Sequence, residues 1–248
     1  MNSPVTSSLT NNFETQAAES IKKYTGEINV DKSITFHKYE NDLPIDIRKS
    51  IMIVKMGNIS NLLKNIFQGE IVDPIDEMNE LYISCIGAAG SDKVFESKHI
   101  DGPFCILPFC TVVRTIVAIK GNSSIFTHFP TFHKKYNLLS NEYIIFDYNR
   151  HIHYIEKDAT ICDDTDRIIL KLHYIITPNF LPRPITIFYK NIHIKYNSTM
   201  RTLFLNSQYQ NGTLSTIINT GTDIYCGIYQ YVGIYNVFII MITLFLWR

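Results

Sequence analysis

The sequence predicts a mainly β fold, a sandwich or jelly-roll barrel with helices propped outside it. Three observations carry this expectation. Short runs rich in β-branched and aromatic residues recur between residues 81 and 177, turn-forming residues fill most of the gaps, and helical apolar spacing is concentrated ahead of them. With 248 residues the chain can bury one sizeable core, and its 46% hydrophobic and 12% aromatic content place it among folded proteins.

The first twelve residues are small and polar and lack the basic start and apolar core of a signal peptide, so they are expected to be a mobile terminus. Phe13, Ala17, Ile21 and Tyr24 then recur at helical spacing behind the cap candidates Asn11 and Asn12, predicting a short first helix. Between residues 43 and 67, Ile45, Ile51, Val54, Ile59, Leu62, Leu63 and Ile66 predict one or two helices interrupted near Gly57. Strands are expected at residues 81–86, 94–100, 111–119, 124–129, 143–148, 151–156 and 167–177. Gly87 and Gly90, Gly102-Pro103, Gly121-Asn122 and Asp163-Asp164 mark turns between them.

After Pro178 the pattern changes. Pro178, Pro182 and Pro184 interrupt it, and residues 185–196 read as an edge strand or a lead-out. Residues 224–247 carry no charge and are dominated by Ile, Phe, Leu, Tyr and Val, with Tyr225, Tyr229 and Tyr231 at one end and Trp247 at the other, which predicts a membrane-crossing helix. The expected organisation is therefore a mobile N-terminus with a short helix (1–30), a jelly-roll domain (31–196), a linker (197–223) and a C-terminal transmembrane segment (224–248), the domain lying on the cytosolic side of a tail anchor.

With 23 basic and 23 acidic residues the net charge is zero, and no basic footprint for nucleic acid is present. Cys85, Cys105, Cys110, Cys162 and Cys226 are odd in number and lack C-x-x-C spacing, which speaks against a disulfide framework or a structural zinc site and fits a reducing compartment. The sequons beginning at Asn58, Asn122, Asn197 and Asn211 are of the kind chance produces in a chain rich in Asn, Ser and Thr.

The stretch E-S-K-H-I-D-G-P-F-C-I-L-P, residues 96–108, sets His99 and Asp101 two positions apart. In an extended segment such residues share a face and can grip one ion together. A neutral imidazole and a carboxylate are two thirds of the facial triad that holds non-haem Fe(II) with coordination positions left open. The segment F-D-Y-N-R-H-I-H-Y-I-E, residues 146–156, offers the third ligand as His153 or, on the same face, His151, the other then orienting it. Further on, R-I-I-L-K-L-H-Y-I-I alternates so that Arg167, Ile169, Lys171 and His173 share one face. A guanidinium on an apolar strand needs an anion, either a bound carboxylate or one of Asp163, Asp164 and Asp166 nearby. Arg114, in T-V-V-R-T-I-V-A-I, poses the same question, with Asp147 or Glu142 as internal partners. His37, His128, His133, His173 and His193 have no partner that can be named from the sequence.

Together, H-I-D-G-P-F, F-D-Y-N-R-H-I-H-Y-I and R-I-I-L-K-L-H-Y-I-I-T-P resemble the Fe(II)- and 2-oxoglutarate-dependent oxygenases, including their aspartyl/asparaginyl β-hydroxylase and prolyl hydroxylase branches, over residues 84–178. The resemblance implies a double-stranded β-helix in which His99, Asp101 and His153, or His151 in its place, bind Fe(II). It also implies that Arg167, with Lys171 or Arg114 as alternatives, holds the distal carboxylate of 2-oxoglutarate, and that O2 is consumed in hydroxylating a substrate the sequence does not identify. Two other readings stay open: a barrel kept for membrane attachment or assembly without an intact site, and a cupin-like metal enzyme that does not use 2-oxoglutarate.

Overall fold

The computed structural model describes residues 1–28, 36–84, 98–102, 107–209, 220–221, 224 and 226–227. Among these, two antiparallel sheets face one another, and they remain separate sheets rather than closing into one barrel. The strands are β1 (Val5–Ser8), β2 (Phe36–Tyr39), β3 (Glu70–Pro74), β4 (Glu80–Ser84), β5 (Thr111–Lys120), β6 (Ile125–Phe129), β7 (Lys134–Tyr136), β8 (Glu142–Asp147), β9 (Tyr154–Lys157) and β10 (Arg167–Pro178). The larger sheet runs β1-β8-β5-β10-β4-β2, with β3 paired to the far end of β10; the smaller runs β7-β6-β9.

Strand β10 is the spine. It is buried along nearly its whole length because both faces are covered, which explains its near-continuous apolar run. Ile168, Leu170, Leu172, Tyr174 and Ile176 face one way, joining Val113, Val117, Tyr143 and Ile145 against three helices, α1 (Asn12–Glu27), α2 (Ile45–Met56) and α3 (Asn58–Ile66). Ile169 faces the other way, with Tyr82, Ile116, Ala118, Ile144 and Phe146, against Phe129 of the smaller sheet. The expected common face of Arg167, Ile169, Lys171 and His173 is thus the inner one.

Local chemistry explains the helices. Asn11 caps α1 by accepting a hydrogen bond from the Phe13 amide at 3.0 Å. Glu14, buried in that first turn, accepts from the Asn58 amide and so caps α3 as well. A Cβ at Gly57 would collide with the Glu14 carboxylate, so the break between α2 and α3 falls where the side chain must be absent. Beneath α2, Lys55 reaches Asp76 at 2.6 Å and Glu40 at 3.4 Å, while Asn79 donates to Glu40 at 2.8 Å. Burial holds the Glu40 carboxyl above its ordinary value despite the lowering pull of Asn79 and Lys55.

Several expectations are corrected. Residues 5–8 are a strand, not a mobile stretch: Val5 and Thr6 are β-branched, and the sheet edge at β8 accepts them with Val5 opposite Ile145. Residues 185–196 belong to α4 (Arg183–Tyr209), which takes in residues 197–209 as well. Its buried side chains Tyr189, His193 and Asn197 are spaced by four, a helical stripe, and Pro182 and Pro184 stand at its start, where a missing N–H costs nothing. Strands β2, β3 and β7 were not foreseen, being short and polar, and β9 starts at Tyr154 instead of His151. The expected strand at residues 94–100 and the predicted membrane segment lie largely outside the described residues; no helix among those described is long and apolar enough to cross a membrane.

Candidate metal centre

The two histidines far apart in sequence meet through a backbone bridge. The His99 amide donates to the His153 carbonyl at 3.0 Å and the His153 amide donates back to His99 at 3.0 Å, so the two residues are directly opposed and their rings lie 4.4 Å apart. Asp101, two residues after His99, projects to the same place. His99, Asp101 and His153 each offer one ligand atom, all within 4.8 Å of one another, close enough to share one cation.

Two of the three side chains, His153 and Asp101, are held by neighbours outside the cluster. The His153 ring stacks on Phe129, 5.8 Å between centroids, and abuts Phe146 at 4.7 Å. Its Nδ1 lies 3.1 Å from the His151 carbonyl oxygen, which can only accept, so Nδ1 carries the proton and the Nε2 lone pair is left for the cluster. Burial pushes His153 down to about 3, against the raising pull of Asp101, so the ring is neutral at physiological pH. Asp101 Oδ2 lies 3.4 Å from His153 Nε2 and is buried with no hydrogen-bond partner, as a ligating oxygen would be. Burial alone would raise the Asp101 carboxyl, but Arg114, His153, His99 and Lys171 together hold it well below the usual carboxylate range. The donor set, two imidazoles and one carboxylate, fits Fe(II).

His151 is not part of the cluster. Its ring packs edge-on against Phe132, and its Nδ1 accepts from the Asp147 amide at 3.3 Å; its carbonyl is what touches His153.

The three basic candidates have different surroundings. Arg114 donates from Nη1 to Asp101 Oδ1 at 2.6 Å and from Nε to His173 Nε2 at 2.9 Å, with its guanidinium 4.8 Å from the Tyr148 ring centroid. The sequence-level partners Asp147 and Glu142 are engaged elsewhere, Asp147 with Arg150 and Glu142 with the Leu139 amide. Lys171 lies 3.6 Å from Glu80, over the Tyr82 ring, and Glu80 also meets His37. Arg167 is buried at the head of β10, opposite Ser84.

Sequence reasoning missed Glu80, although strand alternation with Tyr82 would have turned it inward. It also missed the flank built by Tyr148 and Asn149. The Tyr148 hydroxyl and Asn197 side chain of α4 are hydrogen-bonded at 3.2 Å, and Asn149 lies 3.3 Å from His193. Of the unassigned histidines, His128 pairs with Glu156 at 2.6 Å, His173 accepts from Arg114, and His193 Nδ1 donates to the Tyr189 carbonyl at 2.8 Å.

No protein-family model matches the sequence, and no curated protein matches it. Among solved structures, the viral collagen prolyl hydroxylase of Paramecium bursaria Chlorella virus-1 is similar at 13% identity and a TM-score of 0.42, covering 70% of this chain and 89% of that one. The non-haem α-ketoglutarate-dependent epimerase SnoN of nogalamycin biosynthesis is similar at 10% identity and a TM-score of 0.46, covering 71% and 80%. HygX of Streptomyces hygroscopicus, solved with nickel and 2-oxoglutarate, is similar at 8% identity and a TM-score of 0.46, covering 72% and 84%.

Proposed function

We propose that the protein is an Fe(II)- and 2-oxoglutarate-dependent oxygenase built on a double-stranded β-helix whose two walls are the facing sheets. The observation that carries this reading is the convergence of His99, Asp101 and His153, brought from segments distant in the sequence onto one spot with their ligand atoms within 4.8 Å. When bound, iron and 2-oxoglutarate would supply the activation of O2 coupled to oxidative decarboxylation of the cosubstrate.

The chain's own residues prepare the site. His153 is kept neutral by burial, with its Nε2 lone pair kept available by the proton held on Nδ1 toward His151. Asp101 is kept ionised, mainly by Arg114 among its neighbours, and so contributes the negative charge a dication needs. Phe129 and Phe146 wall the imidazole and keep water from that side. Arg167 is assigned to the distal carboxylate of 2-oxoglutarate, because it is buried on the inner face of β10 and a guanidinium binds a carboxylate bidentately.

The test is anaerobic Fe(II) titration of the full chain with 2-oxoglutarate, following the weak visible charge-transfer band of the chelate. A band that is lost in His99→Ala and weakened in Arg167→Ala is the expected result. Iron binding without a band would remove 2-oxoglutarate from the reading, and absence of iron binding would overturn it.

A further inference from the structure

Arg114 has no counterpart in the triad, yet it touches one member of it. Its place follows from the sheet register: on β5 it stands opposite Phe146 of β8 on one side and His173 of β10 on the other, on the inner face. The guanidinium is then held at three points. Nη1 meets Asp101 Oδ1 at 2.6 Å, Nε donates to His173 Nε2 at 2.9 Å, and the plane lies over the Tyr148 ring at 4.8 Å. His173 is fully buried and accepts through Nε2, so it is neutral with its proton on Nδ1, and it acts as a brace and not as a competing charge. Burial, reinforced by Arg114 itself, holds His173 well below its ordinary value.

One oxygen of Asp101 is thereby spoken for. Oδ1 carries the short charge-assisted bond to Arg114 and lies 3.9 Å from His99 Nε2, while Oδ2 has no hydrogen-bond partner and lies closer to the cluster, 3.4 Å from His153 Nε2. We infer that Arg114 is a positioning residue for the metal centre: braced by His173 and Tyr148, it clamps Asp101 so that the carboxylate is presented through Oδ2 alone. The inference rests on reading His99, Asp101 and His153 as metal ligands.

Two physical effects oppose each other here, and their balance makes the inference testable. A guanidinium near a dication disfavours metal binding by charge. Holding the carboxylate in its ligating orientation favours it, since otherwise the ion must order the side chain itself, and the loss of such partners of metal ligands weakens affinity by about 10- to 100-fold. Arginine can serve Asp101 and His173 together because its donors form a rigid fork, whereas lysine offers one point charge.

The experiment is Co(II) titration of the full-length protein, read by calorimetry and by the visible absorption of the bound ion, in wild type and in His99→Ala, Asp101→Ala, Arg114→Lys, Arg114→Gln and His173→Gln. Near-UV circular dichroism gives the folded fraction, so that affinity is referred to folded protein. The expected result is one Co(II) per wild-type chain, lost in the two ligand variants, about 10- to 100-fold weaker in both Arg114 variants and weakened less in His173→Gln, with altered absorption bands because the carboxylate binds differently. If Arg114 only neutralises a buried carboxylate in the metal-free protein, Arg114→Lys will match wild type and Arg114→Gln will bind as tightly or tighter; either result overturns the inference and leaves the metal site standing. If the Arg114 variants do not fold, an unchanged affinity and spectrum in His173→Gln overturns it. Absence of Co(II) binding in wild type, or binding that ignores His99→Ala and Asp101→Ala, overturns the metal reading itself.

Discussion

Gly102 follows Asp101 directly, and replacing it with alanine probes how tightly the site is seated. A Cβ there would stand 2.6 Å from Asn149 Oδ1 and 2.8 Å from Tyr148 Cδ1, and closer still to Tyr148 Cε1. Ordinary carbon contacts are about 3.5–4.0 Å, so each neighbour must retreat by roughly an ångström. Neither can do so freely. Tyr148 and Asn149 are each 1% exposed; the Tyr148 hydroxyl is hydrogen-bonded to Asn197, and the Asn149 side chain lies against His193. The Gly102 amide itself donates to the Tyr148 carbonyl at 3.2 Å, which stops the loop from backing away. Overpacking of this kind costs about 1–3 kcal/mol. Fewer conformations in the unfolded chain offset about 0.4–1 kcal/mol of it. Gly102→Ala should therefore lose about 1–2 kcal/mol in urea unfolding at an unchanged m-value, and should bind Co(II) more weakly because Asp101 moves with its neighbour. A variant as stable as wild type with unaltered Co(II) affinity would refute the seating of Asp101 against Tyr148 and Asn149.

Other consequences follow from the core and from its buried charges. Leu170 is fully buried on β10, facing the helices, and Leu170→Ala should cost about 2–5 kcal/mol in equilibrium denaturation. Glu40 has a raised carboxyl in the folded state, chiefly through burial, so the fold binds its proton more tightly than the unfolded chain does. The stability this contributes is complete below the ordinary carboxylate value and is lost as pH rises through the raised one; Glu40→Gln should flatten that fall in a urea-midpoint series across the mildly acidic range. Burial pushes the Cys110 thiol up to about 12, whereas Cys162 is exposed. Iodoacetamide at mildly alkaline pH, read by mass spectrometry, should label Cys162 well before Cys110, and equal rates would contradict the buried placement.

Much of the fold was legible because its signals are local. Asn11 ahead of Ala17 and Ile21 announces a capped amphipathic helix, although Phe13 of the expected stripe is exposed, and β5, β8 and β10 combine β-branched composition with turn residues at their ends. The misreadings have local causes too. Val5–Ser8 looks like a tail because half of it is serine, and only the free edge of β8 makes it a strand. The apolar residues of 185–196 satisfy alternation and helical spacing alike, and burial of Tyr189, His193 and Asn197 against the sheet end decides for the helix.

Local backbone geometry was enough to name the residues that could serve: His99 and Asp101 share a face because an extended backbone puts i and i+2 together, and the alternation of β10 places Arg167, Lys171 and His173 on one side. It could not decide between His151 and His153, nor assign Arg114, because those outcomes depend on contacts between strands distant in the chain. The tertiary structure decided both. The bridge from His99 to residue 153 brings that imidazole to Asp101 and turns His151 toward Phe132. The register of β5 against β10 sets Arg114 beside His173, and from there its fork reaches Asp101. Side-chain alternation is a property of each strand alone, whereas register is fixed only when hydrogen bonds and buried faces of separate strands are satisfied together.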